Sequence, residues 1–345
     1  MNLNINITER MKHYNVTGLS IAEIEKGQIC NTACFGLLET GTNKKVEETT
    51  VFNACSISKF LTSILVMKLT EQGIINLDED VNKRLTTWKV PENEWTKQNK
   101  VTLRNLLSHQ SGIIDPKGSF PELTSIREIP SMVDLLEGRT LYCRESIEVK
   151  YEPESDFHYS DAGFCLIQQL LEDVTGEPFE EIMNDLIFKP LRMNNSTFEV
   201  TPPEDTRHTL SSGHNKNGGL VDRNYPIYPY PAASGLWTTP SDLALLVIEL
   251  MNSLKSESKM GLSASHAKVI LTSQGCKAWT GLGVFLERSE HEIEISSLGW
   301  GLGFQCMMVA YPYLETGMII MTNTDTGVHQ LEGLIGELYR SFICK

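Results

Sequence analysis

Positive charge is scarce in this chain. Thirty Lys and Arg stand against 44 Asp and Glu among 345 residues, a net charge of −14. Nucleic acids and anionic membrane surfaces are recognised by basic patches, so neither is expected as a main partner. The sign says little about a substrate, because one cleft can differ from the whole surface. Long apolar runs are missing too. No stretch reaches the roughly 18 residues that a membrane span needs. The opening Met1-Asn2-Leu3-Asn4-Ile5-Asn6 is polar, with no basic start and apolar run of a secretory leader. A cytoplasmic location is the expectation, and a chain whose leader has been removed reads the same way. None of the eight cysteines (Cys30, Cys34, Cys55, Cys143, Cys165, Cys276, Cys306 and Cys344) forms a C-x-x-C pair, which disfavours a zinc ribbon or a thioredoxin motif. They are scattered, several in apolar runs, and are expected to be reduced, buried and small packing groups.

Other motifs are absent as well. His109, His158, His214 and His291 have no i, i+4 partner and no H-E-x-x-H spacing, so no metal or other cofactor is expected. Ser234-Gly235-Leu236 lacks the G-x-S-x-G elbow of α/β-hydrolases. In Gly299-Trp300-Gly301-Leu302-Gly303 the glycines are wrongly spaced for a dinucleotide loop, and a strand follows instead of a helix. There is no internal repeat and no low-complexity tract.

What remains is ordinary globular composition, 41% hydrophobic, in a chain long enough for one large domain or two interleaved ones. The pattern predicts a short helix over 6–14, then strands over 18–24 and 28–35 around Glu25-Lys26-Gly27. Helices are expected over 102–109, 131–137 and 179–188, and after Tyr159-Ser160-Asp161 with Gly176 as stop. Residues 114–130 and 200–234 read as loops. Thr239-Pro240-Ser241-Asp242 carries an N-cap, a Pro at N1 and a carboxylate at N3, opening a helix to about Met251. Ser253 to Lys259 reads as a polar surface segment. Strands are expected over 281–286, 292–297, 304–310 and 317–322. An apolar period from Val328 to Phe342 closes the chain as an amphipathic helix. Strands at both ends with helices between them predict one sheet built from both termini and interrupted by a helical insertion.

The stretch Phe52-Asn53-Ala54-Cys55-Ser56-Ile57-Ser58-Lys59-Phe60-Leu61 carries the chemistry. From Ser56 onward, Ile57, Phe60, Leu61, Ile64, Leu65 and Leu69 mark one helix face, and Gly73 ends it. Positions i and i+3 share a face, so Ser56 and Lys59 meet at the helix start, where free N–H groups favour an anion. A serine nucleophile needs such an amine for its proton and such N–H groups for an oxyanion. Ser-x-x-Lys is weak by itself. Ser256-Glu257-Ser258-Lys259 also fits, but it lies in a polar run with no apolar face. Lys59 is either a solvated lysine or a base whose pKa is lowered by burial. Tyr159 is either a packed aromatic before a capped helix or a proton shuttle near Lys59. Cys55 beside the serine is either packing or a redox liability, with packing preferred.

Taken together and in order, several blocks resemble the serine β-lactamase-like superfamily. The match is to its class C branch, which includes penicillin-binding DD-peptidases and carboxylesterases. The blocks are Val51 to Lys59, Leu106-Leu107-Ser108-His109-Gln110-Ser111-Gly112, Tyr159-Ser160-Asp161, Phe188-Lys189-Pro190-Leu191-Arg192-Met193, Ala233 to Thr239, and Gly299 with Gly303-Phe304. The resemblance spans nearly the whole chain. It implies an α+β fold with two lobes: an antiparallel sheet flanked by terminal helices (1–55 and 235–345) and a mostly helical lobe (56–234), with the site between them. It also implies that Ser56 forms an acyl-enzyme, that Lys59 and Tyr159 move the protons, and that the N–H groups of Ser56 and Trp300 hold the oxyanion, Trp300 lying on an edge strand.

Two positions depart from the family pattern. Asp161 stands where the second motif usually has Asn. A carboxylate there cannot donate a hydrogen bond and can pair with Lys59, raising its pKa. Ser297-Leu298-Gly299 stands where Lys or His, any residue and Gly are usual, so the cation that helps to hold a substrate carboxylate is missing. A small-molecule or short-peptide substrate is expected, and a neutral ester or amide suits these changes best. β-Lactamase or D-amino-acid peptidase activity is the alternative, and a non-catalytic binding or regulatory protein of the same fold is another. The sequence leaves the oligomeric state open.

Overall fold

Strand residues that alternate between two faces need cover on both, and this chain supplies it from its middle and from its ends. The computed structural model describes residues 5–123, 129–200, 209–289 and 292–343. Met1 to Asn4, parts of the two expected loops (124–128 and 201–208), His291 and Cys344 lie outside the described residues. The strands are β1 (Gly18–Glu25), β2 (Gln28–Gly36), β3 (Phe52–Asn53), β4 (Trp237–Thr238), β5 (Phe285–Arg288), β6 (Ile293–Gly301), β7 (Phe304–Tyr311) and β8 (Thr316–Thr322). Six form one antiparallel sheet in the order β2-β1-β8-β7-β6-β5. Its strands come from residues 18–36 and 285–322, so the two ends of the sequence meet at the β1–β8 pair, where Leu19 faces Thr322.

The period of two decides which face each side chain covers. Leu19, Ile21, Met307, Val309, Met318 and Ile320 point to one face. There they pack under the terminal helices Ile7–His13 and Leu334–Ile343. Ala22, Ile24, Cys306, Met308, Ile319 and Met321 point to the other face and join the larger core, which continues without a break into the helical part. Helix Pro240–Leu254 lies across β1, β2 and β8 on that side. Thr239 caps it through Asp242 N, with Pro240 in the first turn.

Helix Ser58–Glu71 runs through the middle of this core. Its apolar stripe predicted one buried face, but Ser58 to Met67 and Leu69 are all buried. The polar members are admitted because each has a partner on another element. Ser58 Oγ donates to Cys55 O (2.6 Å) and accepts from Leu236 N (3.0 Å). Thr62 Oγ1 donates to Ala232 O (2.8 Å) and Ser63 Oγ to Leu282 O (2.7 Å). These bonds fix the helix against the segment before β4 and the loop before β5.

Several boundaries move. Residues 281–284 form a turn rather than a strand, with Gly281 N donating to Val284 O (2.9 Å), and β5 begins at Phe285. β6 continues to Gly301, through the whole third motif. Residues 184–188 are a π-helical segment between two short α-helices. Helix Pro240–Leu254 extends past Met251, burying Ser253, which was read as surface. The C-terminal α-helix starts only at Leu334, after a 3-10 turn (Gln330–Glu332). Of the seven described cysteines, all free, Cys30 and Cys276 are exposed, against the expectation of burial.

Candidate active site

β3 pairs with β4 and delivers the chain into a 3-10 turn, Cys55–Ile57, from which helix Ser58–Glu71 departs. Ser56 therefore sits in this turn and not in the α-helix proper, a short displacement from the sequence reading. Asn53 Oδ1 accepts from Cys55 N (2.9 Å) and holds the bend. Cys55 adopts φ +48°, the left-handed region that costs a non-glycine residue strain. Its side chain is buried under the turn, and burial pushes the thiol up, which makes it a packing group rather than a reactive one. The turn packs on β6 and β7. That approach needs glycine: a Cβ on Gly299 would lie 2.2 Å from Ala54 O.

Lys59, one turn on, is 2% exposed. Its ammonium lies 3.3 Å from Ser56 Oγ, 2.9 Å from Ala233 O and 2.5 Å from Asp161 Oδ1. It also stands 4.8 Å above the Tyr159 ring. Burial works against the charge, but Asp161 and Tyr159 outweigh it and hold Lys59 above the ordinary lysine value. The ion pair with Asp161 thus favours the ammonium form of Lys59. Tyr159 is 42% exposed as a residue, yet its hydroxyl bonds with Lys59 and Ser56. Burial of that group raises its pKa, with the nearby lysine opposing and Asp161 adding to the rise. The phenol is neutral at ordinary pH.

Ser160 caps helix Asp161–Thr175 through Gly163 N (3.0 Å). Tyr159 is placed just before that cap and stacks on His109, with ring centroids 4.3 Å apart. His109 Nδ1 accepts from Ser160 N (3.1 Å), and burial holds this imidazole well below its usual pKa. Asp115 completes the frame. It accepts from Ser160 Oγ (2.7 Å), Asp161 N (2.8 Å) and Ala162 N (3.0 Å). Burial first, then the charge of Asp161, raises the Asp115 pKa. Nothing in the sequence around Asp115 set it apart from an ordinary loop residue.

Ser297, buried, lines the same cleft as Ser56, Lys59 and Tyr159. Of the described residues lining it, Lys59 is the one cation, and Asp161 already neutralises it. β6 is not the edge of the sheet, since β5 covers Ile293 to Ser296. β5 stops there because it is only four residues long. Residues 297–301 therefore project beyond it as a local edge above Ser56. Trp300 lies on this projection, half exposed, with its indole N–H donating to Asp325 Oδ1 (2.9 Å). The second Ser-x-x-Lys copy follows helix Pro240–Leu254, and its Ser258 donates to Glu249 (2.6 Å), outside the cleft. Among the described residues, no group of His, Cys, Asp and Glu could hold a metal, and no helix is long and apolar enough to cross a membrane. The sequence reading missed an aromatic side of the cleft, formed by Phe157, Phe285 and the adjoining Trp279.

Known proteins share this arrangement of chain. The family model named Beta-lactamase matches residues 3–335. Protein flp of Staphylococcus aureus (strain MW2) is 25% identical over 228 residues, 66% of this chain and 42% of its own. Beta-lactamase-like protein 4 of Dictyostelium discoideum is 30% identical over 226 residues, 58% of this chain and 36% of its own. The chain thus spans less than half the length of these curated relatives. Among solved structures, the octameric penicillin-binding protein homologue from Pyrococcus abyssi superposes with a TM-score of 0.76 at 21% identity, covering 98% of this chain and 76% of that one. The D-alanine carboxypeptidase AmpC from Burkholderia cenocepacia gives 0.74 at 18% identity, covering 98% and 97%. At such identities the structural likeness is one of fold, while the family match extends over nearly the whole sequence. The chain belongs to the beta-lactamase family of serine hydrolases.

Proposed function

We propose that this chain hydrolyses small uncharged esters through an acyl-enzyme on Ser56, with amides as a slower class. The observation that carries the reading is the charge of the cleft: its one lining cation, Lys59, is already paired with Asp161. Ser297 supplies no charge where a substrate carboxylate would need one. An anionic β-lactam or a peptide ending in a free carboxylate would enter unpaired, at a desolvation cost. A neutral ester has no such cost.

The distances support a proton path. Loss of one proton from Lys59 to solvent leaves a neutral amine 3.3 Å from Ser56 Oγ. That amine takes the serine proton as Oγ bonds to the ester carbon. The oxyanion is assigned to the N–H groups of Ser56 and Trp300. As the carbon–alkoxide bond breaks, the proton passes from Lys59 by way of Tyr159 to the departing oxygen, releasing the alcohol. Water then adds to the acyl carbon and gives a proton to the same groups; as the carbon–Oγ bond breaks, that proton returns to Ser56 Oγ, releasing the acid and the free serine.

Intact-mass analysis with a fluorophosphonate tests the nucleophile. One adduct is expected on the wild type and none on Ser56→Ala; equal labelling of both would sink the assignment. Short p-nitrophenyl esters against a chromogenic cephalosporin test the class, with esters expected to win in kcat/KM by at least tenfold. A second reading, a binding protein without turnover, is favoured by the ammonium state of Lys59. It gains support if Ser56 labels slowly and no ester is turned over.

A further inference from the structure

The aromatic side of the cleft has no role in the proton path, and its position relative to that path is informative. Starting from Tyr159, rings follow one another outward: His109 at 4.3 Å, Phe157 at 5.6 Å from His109, Trp279 at 4.6 Å from Phe157, and Phe285 at 6.0 Å from Trp279. Trp279 remains 43% exposed and packs against Phe157 and Phe285, both of which line the cleft. The two segments that carry the row are held to each other. Lys277 pairs with Asp156 at 2.7 Å, each beside a ring of the row. Behind them the buried Gln110 amide donates to Gln274 O (2.9 Å) and Thr280 Oγ1 (3.0 Å), and its oxygen accepts from Cys276 N (2.8 Å). One side chain thus fixes the loop that carries Trp279 to the segment that carries His109. A preset, partly exposed apolar wall beside a reactive site is a binding feature.

We infer that this wall is the subsite for the leaving alcohol, and that it selects esters of bulky or aromatic alcohols. The inference rests on the reading of Ser56 as nucleophile. In acyl transfer the group that returns the proton stands beside the leaving oxygen. Tyr159 and Lys59 fill that place here, and the wall begins at Tyr159 itself. A substrate placed for attack therefore lays its alcohol part along Phe157 and Trp279. Its acyl part points away, toward the projecting end of β6. Bonds made and broken are those of the acyl transfer already described: Phe157 and Trp279 bind the alcohol and take no part in the proton transfers, which stay with Lys59 and Tyr159.

The test compares kcat/KM for benzyl acetate, ethyl acetate and ethyl phenylacetate, which place an aromatic ring on the alcohol side, on neither side or on the acyl side. In the wild type the benzyl-to-ethyl acetate ratio is expected to exceed the phenylacetate-to-acetate ratio by about tenfold, the size of one aromatic contact. Trp279→Ala should reduce the first ratio about tenfold and leave the second unchanged, and Trp279→Phe should restore most of it. A loss confined to the acyl-side ratio, or no change in either, overturns the subsite. A second measurement needs no turnover. Saturation-transfer NMR with benzyl alcohol on Ser56→Ala protein should show contact, abolished when Trp279→Ala is added. If Ser56 fails to label while that contact depends on Trp279, the catalytic reading falls and the subsite stands. If Ser56 labels and neither measurement depends on Trp279, the subsite falls alone.

Discussion

A single carboxylate governs the charge of the site. Asp161 lies 2.5 Å from Lys59 and helps to raise its pKa where burial alone would lower it. Asp161→Asn removes the counter-charge, so burial then lowers the Lys59 pKa. The acid limb of kcat/KM for an ester is expected to move at least one pH unit downward, with higher activity near neutral pH; a limb that stays put would show that Lys59 is not the group titrating. Ser297→Lys restores a cation at the third motif. It is expected to raise cephalosporin acylation at least tenfold relative to ester hydrolysis, read as a ratio of kcat/KM values. His109 carries a stability consequence. Its folded pKa lies well below the ordinary 6.5, so below about pH 6.5 the unfolded chain takes up a proton that the native state refuses. Stability is complete above that pH and falls as pH drops toward the folded value, by up to about 1.4 kcal/mol per pH unit. Urea melts between pH 7 and 5.5 should show the slope, and His109→Gln should flatten it. Lys59 acts in the other direction, its contribution persisting below the ordinary 10.5 and lost only as pH rises through its raised folded value.

Among elements, the turn before β5 presses closely on the helix that bears Lys59. Gly283 has φ +70°, and a Cβ there would lie 2.7 Å from Ser63 Cβ and 2.9 Å from Lys59 O. Gly283→Ala combines a strained backbone with a clash against the helix that bears Lys59. It is expected to cost about 2–4 kcal/mol in a denaturant melt and to reduce ester hydrolysis beyond the fraction unfolded. The sequence marked this stretch as a strand, because Gly281 to Leu286 offers apolar residues without revealing that its glycines are there for contact. The same limit appears elsewhere. Periodicity located helix Ser58–Glu71 but could not show that Thr62 and Ser63 are buried, since their partners, Ala232 and Leu282, lie about 170 and 219 residues away. Spacing at a helix start marked Ser56 and Lys59 as a candidate pair, whereas Tyr159 and Asp161 were picked out by the family resemblance; the structure brings the four together. Asp115, Gln110 and Trp279 were not legible, because their roles arise only when separate loops meet. The edge position of Trp300 was half right: strand pattern reveals a strand, but not that β5 would cover only its first half.

Over the whole molecule, the terminal helices and the cleft lie on opposite sides of the sheet. Arg10 of the first helix and Tyr14, which caps its C-terminus, both bind Glu337 of the last, with Arg10 Nε–Oε2 at 2.7 Å and Tyr14 OH–Oε1 at 2.8 Å. Beneath this clamp Leu338 is fully buried. Leu338→Ala is expected to cost about 2–4 kcal/mol in a urea melt while leaving kcat/KM of the folded protein unchanged, because the cavity opens behind the sheet. A parallel loss of activity would mean that the two faces are coupled. The pairing of Leu19 with Thr322 has a mechanical meaning. β1 begins and β8 ends at the same end of one antiparallel ladder. Tension applied through the two chain ends, once the outer helices let go, would bear on one rung at a time and peel β1 from β8 like a zipper instead of shearing all rungs together. The protein should yield at low force along that axis, while β6 and the serine turn, two strands further in, remain unloaded.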